Sequence, residues 1–267
     1  MLNSEFNMRN QVDQSANILF LVLDALRYDA AQSLFEAGEL PGFAEYLPET
    51  GWEKRYTPAS FTYPAHQAFF AGFLPTKVDQ HITPRRFAAQ FQGSVSTTDR
   101  TFLFKEANVI TALRNRGYAT ACIGGVGFFN KQTEISRVLP DLFEESFWSR
   151  ELGVTNPNST QLQFELAADW LQQTTKPFFL YINVSAVHQP NCFYTSNTKD
   201  SLKTHKAALR YVDTQLSLLM TALKKEKPVC CIFCSDHGTA YGEDGHHGHR
   251  NGHKTVIEVP YIDFLLK

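Results

Sequence analysis

The sequence predicts an α/β protein, built on a mostly parallel central sheet with helices on both faces. Three observations support this. Residues 17–24, 118–124, 177–185 and 228–235 are short, continuous apolar runs without strict alternation. Such runs suit strands that are covered on both sides, as parallel strands are. Between them lie residues 106–116, 160–173 and 200–225, each with helical spacing, and strands alternating with helices imply a layered fold with right-handed crossovers.

In chain order, residues 1–16 are polar and mixed in charge, with no apolar centre, and read as a disordered lead rather than a secretory signal. The first strand runs from Asn17 and stops at Asp24. Thr62 then precedes an aromatic run (Phe69, Phe70, Phe73) with helical features, and Pro64 sits where a first turn tolerates it. Thr62 is the expected N-cap, its hydroxyl beside free backbone N–H groups. Residues 75–101 are polar and read as an excursion from the sheet. Residues 124–131 (GGVGFFNK) follow the second strand and are expected to shape a pocket. In the helix over 200–225, Leu209, Val212, Leu216, Leu219, Met220 and Leu223 form one apolar stripe. A last extended piece spans residues 256–266. Nothing marks an internal boundary, so residues 17–267 read as one domain.

Composition narrows the function. The 267 residues carry 25 Lys+Arg against 27 Asp+Glu, a net charge of −2, and 43% are hydrophobic. That apolar content excludes a disordered chain, and near-neutrality leaves no general attraction for nucleic-acid backbones. No apolar run approaches the roughly 18 residues of a membrane helix. Five cysteines without an export signal argue against a disulfide framework and for the cytoplasm. Cys231 and Cys234 have Cys-x-x-Cys spacing, but on a strand they point to opposite faces and read as buried cysteines.

Ligands of an open parallel sheet bind beyond the C-terminal strand ends, and here those ends carry chemistry. The first ends in Asp24, with Arg27 close behind; the third leads to His188; the fourth ends in Asp236 and His237. Just beyond come His246, His247, His249 and His253. Mixed carboxylate and imidazole ligands suit a divalent cation. Taken singly, Asp24 and Thr62 could be helix caps, SDHG a turn and the histidines a solvated loop. Their convergence on one rim favours a metal, beside which the Thr62 hydroxyl becomes an accessible nucleophile.

These motifs, LVLDALR, SFTYPAHQAFFAGFLP, PFFLYINVSAVHQP and SDHGTAYGEDGHHGH followed by VP, resemble the alkaline phosphatase superfamily in its small, bacterial, sulfatase-like branch. The resemblance implies a metal site of Asp24, Thr62, Asp236 and His237, with zinc as the metal and manganese or calcium as alternatives. It implies catalytic roles for Thr62, as nucleophile, and for His188 and His249, facing the phosphoryl or sulfuryl oxygens. His188, His249, His253, Arg27 and Lys131 are further candidates for a second metal or for substrate. Sulfatases of this superfamily place a Cys or Ser that becomes formylglycine where this chain has Thr62, and an arginine where it has His66. Threonine cannot make formylglycine, which tilts the expectation toward phosphate esters. Val184 stands where two-metal diesterases carry an aspartate, so one metal is expected.

The leading expectation is therefore a metal-dependent hydrolase of small-molecule phosphate mono- or diesters, with no nucleic-acid or membrane partner. A sulfuric ester hydrolase, a phosphotransferase and a catalytically idle metal-binding partner in a biosynthetic assembly are the alternatives.

Overall fold

Leu19, Leu21 and Leu23 of the first strand face one packed layer, and Ile18 and Val22 face the other. This is the two-sided burial that the continuous apolar run predicts. The computed structural model describes residues 8–72, 108–224 and 227–267. The excursion expected over 75–101, and Phe73, lie outside the described residues.

The first half of the chain runs α1 (Met8–Asp13), β1 (Asn17–Leu23), α2 (Tyr28–Glu36), α3 (Pro41–Ala44), β2 (Glu53–Tyr56) and α4 (Thr62–Ala71). Then follow α5 (Val109–Asn115), β3 (Ala119–Ile123), α6 (Glu134–Arg137), β4 (Glu145–Phe147), α7 (Ser159–Gln173) and β5 (Phe178–Val184). The last part is α8 (Leu202–Leu223), β6 (Val229–Cys234), β7 (Ala240–Tyr241), β8 (His247–Gly248), α9 (Lys254–Ile257) and β9 (Glu258–Leu266). Seven strands form the main sheet in the order β2-β9-β6-β1-β5-β3-β4, and β7 pairs with β8 in a small hairpin. Helices α2, α3, α7 and α8 cover one face, while α4 and α5 contribute Phe70, Ile110 and Leu113 to the other.

The sheet is parallel from β6 to β4, whereas β9 runs antiparallel to β6 and β2 antiparallel to β9. Between β6 and β9 the chain spends its length on the β7–β8 hairpin and the one-turn helix α9. With no crossover helix there, β9 must return antiparallel. The lead also differs from expectation: from Met8 it forms α1, anchored by Val12 against the core and by a 2.7 Å ion pair from Arg116 to Asp13.

Candidate active site

Sheet register brings the two key carboxylates together. Val22 pairs with Cys234 across β1 and β6, so Asp24 and Asp236 leave their strands side by side. Asp24 continues the ladder for one bond, its N–H donating to the Val184 carbonyl at 3.1 Å. Ala25 then turns with φ +64, a left-handed conformation uncommon outside glycine. That turn lets the Ala25 N–H donate to Asp236 Oδ1 at 3.3 Å, an oxygen that also accepts from His237 N–H at 3.0 Å. Gly238 follows because no side chain fits: a Cβ there would lie 2.0 Å from the Thr255 carbonyl oxygen.

Each candidate ligand is held by one atom and presents another to the cluster. Asn183 donates to Asp24 Oδ2 at 2.8 Å, while Asp24 Oδ1 and Asp236 Oδ2 are buried with no hydrogen-bond partner among the described residues. His237 Nδ1–H donates to the Gly238 carbonyl at 2.8 Å, so Nε2 keeps its lone pair. That Nε2 lies 3.7 Å from Asp24 Oδ1 and 3.6 Å from Asp236 Oδ2. Thr62 Oγ1 is 3.2 Å from the same nitrogen and 3.5 Å from Asp24 Oδ2. Asp24, Asp236 and His237 are fully buried, and their candidate ligand atoms all lie within 4.8 Å of one another.

This arrangement fits a divalent cation. Burial, and for Asp24 the adjacent Asp236 carboxylate, raise the Asp24 carboxyl to about 6; burial raises that of Asp236 to about 6. Burial also lowers the basicity of His237. Two orphaned carboxylate oxygens, one imidazole lone pair and one hydroxyl converge in a buried site where uncompensated charge is costly.

Thr62 is the first helical residue of α4 rather than its cap; Phe61 occupies the cap position, extended, with no side-chain cap bond. The hydroxyl is thereby free to face the cluster instead of its own backbone. The N–H groups of the first turn have no helical acceptor and, with the helix dipole, favour an anion at this end. Gly72 closes the helix with φ +76.

His188 and His249 stand next to these ligands. Their rings are 5.6 Å apart, and His249 is 4.7 Å from His237. His188 Nδ1–H donates to the Gln189 carbonyl, so Nε2 carries the lone pair. Burial, with His237 and His188 beside it, lowers His249 to about 3.

The other three candidates are engaged elsewhere. Arg27 is buried and bonds both Asp29 oxygens and Glu243, tying the histidine-rich loop to the end of β1. Lys131 donates to Ser146 Oγ at 2.9 Å in an open hollow lined by Trp148, Glu151 and Leu162. His253 caps α9 through Thr255 and donates to Asp244 Oδ2 at 3.0 Å.

Two supporting residues receive no role from the sequence, although His66 is marked there as standing in place of an arginine. Asn183 is the polar interruption of an apolar strand, a signal that was open to notice. His66 lies one helical turn after Thr62, buried, with Nδ1–H donating to the Thr62 carbonyl at 2.7 Å and Nε2 accepting from the Tyr181 hydroxyl. Burial holds its ring neutral, near 3.

A mostly parallel sheet with helices around it and a candidate metal cluster on its C-terminal rim accords with the alkaline phosphatase/sulfatase superfamily, whose members act on phosphate and sulfate esters. Within it, the chain belongs to the Sulfatase family, whose model matches residues 16–262. Solved structures with the same fold include the C-terminal periplasmic domain of EptC from Escherichia coli, determined in complex with zinc. It has 10% identity and a TM-score of 0.63, over 94% of this chain and 73% of that one. The soluble domain of lipooligosaccharide phosphoethanolamine transferase A from Neisseria meningitidis gives 14% identity and a TM-score of 0.64, over 94% and 77%. The lipoteichoic acid synthase LtaP from Listeria monocytogenes gives 13% and 0.61, over 94% and 65%. Among curated proteins, none matches the chain.

The expectation of a cytoplasmic protein is corrected by these neighbours, since the EptC domains from E. coli and Campylobacter jejuni are periplasmic. The cysteine argument fails for a physical reason. Cys122, Cys230, Cys231 and Cys234 are buried free thiols, and packing of that kind carries no information about compartment. No helix among the described residues is long and apolar enough to cross a membrane.

Proposed function

We propose that the protein is a divalent-metal-dependent hydrolase of phosphate mono- or diesters, with Thr62 as its nucleophile. The supporting observation is the pair of orphaned oxygens, Asp24 Oδ1 and Asp236 Oδ2, buried beside a hydroxyl at the first turn of α4. Asp24, Asp236, His237 and Thr62 would hold the metal, and their oxygen and nitrogen donors suit zinc. Bound there, zinc supplies a lowered hydroxyl pKa and neutralises charge on the phosphoryl oxygens.

Thr62 Oγ forms the new bond to phosphorus as the ester P–O bond breaks on the opposite side. Asp24 Oδ2, 3.5 Å away, is a base within reach of the departing hydroxyl proton. The N–H groups at the start of α4 stabilise the equatorial oxygens. The leaving group departs as its oxyanion; water then attacks phosphorus and the Thr62 Oγ–P bond breaks, His188 Nε2 takes the water proton, and Thr62 Oγ takes back the proton held by Asp24 Oδ2. Threonine at this position argues against formylglycine chemistry, and so for phosphate over sulfate.

The test is a panel of aryl phosphate monoesters, aryl phosphate diesters and an aryl sulfate, with zinc or manganese added. The expected result is turnover of a phosphate ester and a phosphothreonine at Thr62 trapped by acid quench and mass spectrometry. Preference for the sulfate overturns the phosphoryl reading. A phosphorylated added alcohol in place of free phosphate makes the protein a transferase, and no turnover of any ester makes it an idle partner.

A further inference from the structure

Arg250 follows His249 directly and sits in the left-handed region with φ +69, a conformation that non-glycine residues seldom hold without support. Support comes from its own backbone: the Arg250 N–H donates to the Ser60 carbonyl at 2.8 Å, two residues before Thr62. The loop is therefore pinned to the entrance of α4. The side chain extends over Phe61, with the guanidinium carbon 5.6 Å from the ring centroid. Phe128 packs beside it, 6.4 Å from Phe61 and 5.2 Å from Tyr63 between ring centroids. Phe61 and Phe128 are half-buried and Arg250 is exposed, so the group forms a rim and not a core.

Among the described residues, no carboxylate forms an ion pair with Arg250, whereas Arg27, Arg55, Arg116 and Arg210 each have one. It is also close to the chemistry. Its chain neighbour His249 has its ring 4.7 Å from that of His237. A divalent cation would balance the charges of Asp24 and Asp236, so Arg250, with no ion pair among the described residues, is a cation available to a substrate anion. Arginine stacked on an aromatic ring presents a planar fork matched to a carboxylate or phosphate.

We infer that Arg250, Phe61 and Phe128 form the leaving-group subsite, selecting esters whose leaving group carries an anion on an apolar or planar body. This deepens the phosphoesterase reading and rests on it. The experiment is calorimetric binding of phenyl phosphate and 4-carboxyphenyl phosphate to zinc-loaded Thr62→Ala protein, with Arg250 intact or as Arg250→Met. Methionine keeps apolar contact with Phe61 and removes the charge. With Arg250 present, the carboxylated ester should bind roughly tenfold tighter, the scale of one charge-assisted hydrogen bond; in Arg250→Met that ratio should fall to about one. An equal ratio in both proteins, or no preference with Arg250 present, overturns the subsite alone. If neither ester binds, the phosphoester reading falls and takes the subsite with it.

Discussion

Replacing His66 measures how far the surroundings of the ligands set metal affinity. The ring is enclosed by Phe69, Phe70, Phe129 and Tyr181, at centroid distances of 5.4, 5.8, 5.2 and 5.6 Å. Its Nδ1–H holds the Thr62 carbonyl at 2.7 Å and lies 3.7 Å from the free Oδ2 of Asp236. The Tyr181 hydroxyl, by donating to Nε2, fixes that tautomer, so a hydrogen and not a lone pair faces Asp236. His66→Phe keeps a planar aromatic ring, somewhat larger than imidazole, and removes both nitrogens. The Tyr181 hydroxyl then loses its acceptor in a fully buried place, at about 1–3 kcal/mol, which lowers Tm by roughly 4–8 °C for a 2 kcal/mol loss. Groups that orient metal ligands are worth roughly 10–100-fold in affinity, and that is the expected zinc loss. His66→Asn, whose amide N–H lies close to the Nδ1 position, should restore most of it. Competition against a chromophoric chelator gives the zinc Kd, and thermal melting gives the stability. A lower Tm with unchanged zinc affinity in His66→Phe would make His66 a packing residue and refute the reasoning.

Three further outcomes follow. Thr62→Ala should cut turnover by roughly four orders of magnitude or more while elemental analysis still finds zinc, because Asp24, Asp236 and His237 keep their geometry. Gly125→Ala should weaken zinc binding without touching a ligand. Its Cβ would lie 2.4 Å from the Asn183 carbonyl oxygen and 2.7 Å from Ser185 Cβ, displacing the residue that holds Asp24; unchanged affinity would show that Asn183 can shift freely. Stability should fall with acid, because burial holds His205 near 3 while the unfolded residue titrates at the ordinary value. The folded-state pKa is depressed, so the unfolded chain binds the proton first, and stability present above about pH 6.5 is lost as the pH falls. His205→Gln should flatten denaturant-measured stability between pH 6 and pH 5 by about 1.4 kcal/mol per pH unit, and an unchanged slope would contradict the buried neutral state.

Core strands announce themselves because burial on two faces demands uninterrupted apolar runs, and β1, β3, β5 and β6 fall inside the runs that the sequence marks. Edge strands carry no such demand. β2 is Glu53, Lys54, Arg55 and Tyr56, all exposed, a charged edge that blocks further pairing and leaves no hydrophobic pattern to find. Strand direction is equally silent in hydropathy. The antiparallel return of β9 depends on what fills the connection, and His-rich loop residues do not advertise a hairpin.

At the site, the residues legible in the sequence are those whose chemical type is unusual where they stand. A carboxylate ending an apolar strand, as Asp24 and Asp236 do, contradicts its surroundings and invites a functional reading. What remains hidden is which oxygen of each is free, and that depends on partners brought from elsewhere. Asp24 Oδ1 is orphaned because Asn183 occupies Oδ2, and Asn183 is itself fixed by Gln163, whose side chain donates to the Asn183 carbonyl at 2.7 Å. Asp236 Oδ2 is orphaned because the left-handed turn at Ala25 aims an N–H at Oδ1. Asn183, Gln163, Ala25 and Gly125 lie outside the candidate ligand set, and each acts on it through distance and direction. The ligand types are therefore a local property of the sequence, while their readiness to bind belongs to the fold. The variants that separate the two are those, like Gly125→Ala, that leave every ligand in place and move only what holds it.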